Sequence, residues 1–244
     1  MEQLRLLLHN ETFQIVMAGI IPAILLIAYI CWKDRKQPEP FIWIFNAIMS
    51  GCLSAVLAIL MALYIETLPF WDYIPINSTS RAWATAFLSA AIPEETAKWW
   101  FLYRLSRKNP YFDEYMDAIV YAVCIGMGFA GLENVMYLFS AHESWHSLAL
   151  IRCMLSVPAH FAFAVLMGYY FGKIHFTRSK WKKTYLAPMV LVAPIMAHGI
   201  FDGLLMMNQD MSAPVSATIA VVFLVFVVRL HRFSFSRIHR FHNR

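Results

Sequence analysis

Charge is scarce in this chain: only 14% of its 244 residues are Asp, Glu, Lys or Arg, while 60% are hydrophobic. An ordinary soluble domain, with about 25% charged residues, is excluded by that balance. Cysteine is scarce too. Cys31, Cys52, Cys124 and Cys153 show no CxxC or Cys/His spacing, which excludes a disulfide framework or a zinc knuckle and leaves them as packing residues. No internal repeat and no low-complexity linker is present. The GxG at Gly126 and Gly128 lies within an apolar run and not after a strand, so it is no nucleotide loop.

What fills the chain is apolar windows. A spanning helix needs about 20 mostly apolar residues, and seven such windows occur, at about 13–32, 41–65, 81–105, 115–140, 147–174, 185–207 and 214–228. They leave no room for a soluble domain, so residues 1–244 read as a single transmembrane domain with a core at about 81–207. The first window is followed, not preceded, by Lys33, Arg35 and Lys36, the reverse of a signal peptide. Of the 20 Lys and Arg residues, 16 fall in alternate connections, two (Arg5 and Arg81) on the opposite side, and two (Lys98 and Arg152) inside spans. The positive-inside rule then predicts an all-α polytopic membrane protein of about seven transmembrane helices, N-terminus outside and C-terminus cytoplasmic. The net charge of +5 marks sidedness in a lipid bilayer, and no nucleic-acid partner is expected.

Against this background a few polar residues stand out. Each ionised side chain at mid-membrane costs roughly 2.5–3.5 kcal/mol on insertion scales, so it calls for a reason. The third window carries Glu94, Glu95 and Lys98; the fourth Glu133 and Asn134; the fifth His160; the sixth His198 and Asp202. At 1.5 Å per residue the carboxylates and imidazoles among them lie between about 8 and 20 Å from the outer ends of their helices, close enough to share one layer. Glu94 and Lys98 are one helical turn apart, as are His198 and Asp202, so each pair lies on one face. Pro93, Pro158 and Pro194 precede these groups and free backbone carbonyls, which points to a hydrated cavity beside the carboxylates. Asp117 and Arg152 lie near helix ends, where they cap or snorkel, and they are left outside the core site.

Four carboxylates against Lys98 leave three negative charges uncompensated, so the cluster must hold shared protons or a divalent cation. Two histidines and a glutamate form a ligand set used by catalytic zinc, with another glutamate as base. A metal-free version works as well, in which one carboxylate activates water and a histidine donates to the developing oxyanion. A proton- or ion-coupled transporter uses the same kind of buried Glu/His/Asp relay and is the alternative reading.

Glu94-Glu95-x-x-Lys98, Met116 to Tyr121, Gly126 to Val135, Pro158-Ala159-His160 with Gly168-Tyr169-Tyr170, and His198-Gly199-Ile200-Phe201-Asp202 form an ordered set. In it the chain resembles the PrsW-type intramembrane proteases and, more distantly, the CAAX and bacteriocin-processing membrane proteases. The resemblance implies hydrolysis of a membrane-tethered protein such as an anti-sigma factor, in a bacterial inner membrane. It implies catalytic roles for Glu94 and Glu95 and activating or metal-binding roles for Glu133, His160 and His198. With it, the catalytic group is read as Glu94, Glu95, Lys98 and Asn134, Glu95 being the base. The metal group is read as Glu133, His160, His198 and Asp202, holding a divalent cation, zinc.

Overall fold

The computed structural model describes residues 10–76, 78–207 and 212–242. The expected outer N-terminal segment is therefore mostly outside the described residues, as is the turn Asn208-Gln209-Asp210. The described chain is helical, with no strand. In order it forms α1 (Glu11–Lys33), α2 (Phe41–Glu66), a 3-10 turn (Pro69–Tyr73), α3 (Thr79–Ala84), a π turn (Thr85–Ala91) and α4 (Ile92–Ser106). Next come α5 (Tyr115–Ser140), α6 (Trp145–Ile151), a second π turn (Arg152–Ser156) and α7 (Val157–Phe176). The chain finishes with α8 (Lys180–Leu186), α9 (Met189–Met207) and α10 (Ala213–His242).

Six helical segments are long and apolar enough to span a membrane, at 11–33, 41–66, 115–140, 142–176, 180–207 and 213–240. The other expected span, 81–105, is helical throughout, but Glu94, Glu95, Lys98 and Arg104 lower its apolar content.

Helix α5 is the hub, with α1, α2 and α7 packed around it. Every residue from Met116 to Gly131 is buried, as expected of a helix apolar on all sides. Small residues set its spacing. A Cβ on Gly128 would lie 2.2 Å from the Ile48 carbonyl oxygen, and one on Gly51 2.1 Å from that of Ile125, so α2 and α5 meet backbone to backbone. On the other face Gly126 opposes Ala164 of α7, and Gly168 of α7 opposes Ala118.

The prolines act through the backbone. Pro93 and Pro158 each stand at the second position after a π turn. A proline ring clashes with the carbonyl four residues back and removes one hydrogen bond. Here the helix widens by a local π segment instead of ending, and Glu94, Glu95 and His160 follow directly. Pro194 lies inside α9, one turn before His198.

Candidate functional site

Four helices deliver the polar residues to one place. From α4, Lys98 directs its ammonium to Glu95 Oε1 at 2.8 Å, Glu94 Oε2 at 3.3 Å and, across to α7, His160 Nδ1 at 3.3 Å. The same ammonium lies 3.9 Å from the centre of the Phe129 ring on α5. A lysine that is 3% exposed is tolerable only with such partners. The helical spacing read from sequence is what allows one lysine to reach both glutamates.

Both imidazoles are held at both nitrogens. His198 Nδ1 is 3.0 Å from Glu95 Oε1 and its Nε2 is 3.2 Å from Asp202 Oδ2. His160 places Nε2 3.1 Å from Glu133 Oε2. Thus Asp202 and Glu133 take the outer nitrogens, while both Nδ1 atoms face Glu95 and Lys98. The rings meet edge to face at 5.3 Å, and His198 stacks on Phe163 at 4.8 Å. A carboxylate on the far nitrogen fixes an imidazole's orientation and raises its basicity, the usual support behind a ligating histidine.

Arg152, left outside the core by its place near a helix end, belongs to the site. It begins the second π turn, donates to Glu133 Oε2 and to Asn134 Oδ1, each at 2.6 Å, and covers the Tyr137 ring at 4.1 Å. Asn134 therefore does not join the carboxylate pair; it anchors Arg152 and donates weakly to the Gly19 carbonyl of α1 at 3.4 Å. The sequence held one signal for this arrangement, an arginine and a glutamate buried in adjacent spans.

Glu94, Glu133 and Tyr137 stand between two cavities. One, of about 100 Å³, is a polar chamber walled by Arg152, His160, His198 and Asp202. The other, of about 160 Å³, is walled by Ala55, Ala58, Ile59 and Ala62 of α2 with Phe129 and Met136 of α5. Glu95 lies behind them and has no exposed surface.

One oxygen or nitrogen from each of Glu94, Glu95, His160 and His198 falls in a group whose members are within 4.8 Å of one another. This differs from the set read in sequence, because Glu133 and Asp202 stand one contact further out and Glu94 and Glu95 stand closer in. The cluster fits a divalent cation on three counts. Its donors are the carboxylate and imidazole types used by zinc. Glu95 Oε2 is buried with no hydrogen-bond partner. With Arg152 counted beside Lys98 and the imidazoles neutral, the four carboxylates exceed the fixed positive charge by two.

A family model described as PrsW family intramembrane metalloprotease matches residues 39–230. A protein named Protease PrsW from Geobacillus kaustophilus is 34% identical over 197 residues, 81% of this chain and 82% of its own length. Proteins of the same name from Bacillus subtilis and Clostridioides difficile are 33% and 29% identical, over 79% and 92% of this chain and 83% and 90% of theirs. No solved structure matches the chain.

Proposed function

The chain belongs to the PrsW family of intramembrane metalloproteases, and on that footing we propose that it cuts a single-span protein tethered to a bacterial inner membrane, an anti-sigma factor by type, using Glu94 as general base. The observation that carries this reading is the position of Glu94, the carboxylate of the pair that borders both cavities. The resemblance read from sequence points to Glu95 as the base, but a group with no exposed surface cannot meet water or substrate without displacement. Glu95 is better suited to binding a cation and to holding Lys98 and His198.

In this mechanism Glu94 takes a proton from the attacking water as oxygen bonds to the scissile carbonyl carbon. It returns that proton to the amine nitrogen as the C–N bond breaks. Lys98, 3.3 Å away, fixes the carboxylate's direction and offsets its charge. Arg152 holds Glu133 against His160, and Asp202 holds His198 from the other side. Glu95, His160 and His198 would hold the divalent cation, zinc by donor type, which when bound supplies Lewis acidity to the carbonyl and acidity to the water. The alanine-walled cavity suits an extended stretch of substrate. A peptide bond inside a helix has its carbonyl engaged in hydrogen bonding, so the substrate must open before Glu94 can be reached.

The transporter alternative is not favoured, because the family hydrolyses peptide bonds. The test is cleavage of a single-span protein co-reconstituted with the purified enzyme in liposomes. Glu94→Gln is expected to abolish it; undiminished cleavage by that variant removes Glu94 from the role, and ion flux without any cleavage would restore the transporter.

A further inference from the structure

A second carboxylate cluster lies at the far end of α5, where the α1–α2 connection meets the turn before α5. Asp34, at the C-cap of α1, is 4% exposed, and Asp117 is fully buried. One oxygen from each of Asp34, Glu114 and Asp117 lies within 4.8 Å of the others. Glu39 lies beside them and accepts a hydrogen bond from the buried Tyr121 hydroxyl.

Helix capping explains part of this cluster. Glu114 and Asp117 form a reciprocal capping box, in which Asp117 Oδ2 accepts from the backbone N–H of Asp113 at 2.8 Å and of Glu114 at 2.7 Å. It leaves the rest unexplained. Asp117 Oδ1 is buried without any hydrogen-bond partner, an orphaned acceptor that normally costs about 1–3 kcal/mol. Asp34 sits at the negative end of the α1 dipole, where a carboxylate is unfavourable. Burial first, then the Asp117, Glu114 and Glu39 carboxylates, push its carboxyl up to about 8.

We propose that Asp34, Glu114 and Asp117, with Glu39 beside them, form a second cation site that takes a hard divalent ion of the calcium or magnesium class. The donors are carboxylate oxygens, which suit such ions and not the imidazole-rich preference of zinc. Asp117 precedes Glu133 by 16 residues on α5, about 24 Å along the axis, so this site is separate from the catalytic one. Its effect is to fasten α1 to α5 at the end opposite the Asn134–Gly19 contact.

Full-length protein in detergent, stripped with a chelator, tests the proposal by terbium luminescence, Tyr121 being placed to sensitise the emission. Measurements are made on a Glu94→Gln/His198→Ala background, which removes two of the four donors of the catalytic cluster while keeping the Glu95–Lys98 contact. Saturable emission displaced by calcium or magnesium is expected, with affinity about tenfold lower, or less, in Asp34→Asn and Glu114→Gln. The thermal midpoint should rise with either ion, and this rise should vanish in Asp34→Asn. Should Asp34→Asn not fold, Glu39→Gln, which leaves the capping box intact, carries the same comparison. Terbium affinity unchanged in these variants, or a midpoint indifferent to both ions, overturns the site and leaves the carboxylates sharing protons.

Discussion

The Arg152 guanidinium and the Glu133 carboxylate meet at 2.6 Å across two helices, and the same guanidinium reaches Asn134. Glu133 in turn holds His160, so an arginine at the edge of the chamber controls an imidazole within it. Arg152→Ala is expected to lower kcat by about 10–100-fold, the usual cost of losing a supporting contact behind a ligand. Arg152→Lys, which keeps the charge but loses the fork that serves both partners, should recover only part. Equal loss in the two variants, with thermal stability unchanged, would show that the fork itself is what matters.

The two adjacent glutamates should separate in their effects. Glu94→Gln is expected to lower kcat by about 10²–10⁴-fold, the range of general acid–base catalysis, with little change in thermal midpoint, since Glu94 borders two cavities and Lys98 keeps its 2.8 Å contact with Glu95. Glu95→Gln leaves Lys98 buried with a weakened partner, and should cost roughly 3–5 kcal/mol of stability as well as activity. Unfolding curves and initial rates on the same preparations check both.

Metal removal should be reversible and localised. Dialysis against a strong chelator is expected to abolish cleavage, and a divalent cation should restore it. Elemental analysis should find metal bound by wild-type protein and lost in His198→Ala, while retention by Glu133→Gln would count against Glu133 as a ligand and loss would return it to the set.

The contact between α2 and α5 makes a paired prediction. Gly128→Ala puts a methyl 2.2 Å from the Ile48 carbonyl oxygen and should cost roughly 1–3 kcal/mol by overpacking. Gly131→Ala meets nothing closer than Ala23 Cβ at 3.6 Å and should be neutral, or stabilising by up to about 1 kcal/mol through helix propensity. Parallel thermal melts in one detergent decide between them.

Filling the apolar cavity should affect substrate more than fold. Ala62→Phe projects a ring into the space of about 160 Å³ beside Glu94. It is expected to reduce kcat/KM for a single-span substrate about tenfold or more, with the melt within a few degrees of wild type.

Much of the site was legible in the sequence because burying charge is costly enough to make each residue conspicuous. The spacing of Glu94 with Lys98 and of His198 with Asp202 predicted contacts that the helices make. Contacts between helices were less legible. They depend on how each helix is rotated about its axis, and α5 is buried all round, so no apolar stripe gives its rotation. For that reason the sequence does not tell that Glu133 turns to His160 and Asn134 to Arg152. For Arg152, nearness to a helix end points to capping or snorkelling, and the π turn that begins at it is not a feature of hydropathy. Of the two roles open to Asp117 at a helix end, capping or snorkelling, the structure shows the cap of α5.

The burial of α5 also bears on how the protein is made. It is the least hydrophobic of the six candidate spans, while α1 and α2, which precede it in the chain, are among the most hydrophobic. A helix that carries Asp117, Glu133 and Asn134 gains little from lipid alone. Most of its surroundings are other helices, so its place in the bilayer depends on packing against α1 and α2, which precede it in the chain. Truncation from the N-terminus is therefore expected to impair insertion of the catalytic half before it impairs chemistry.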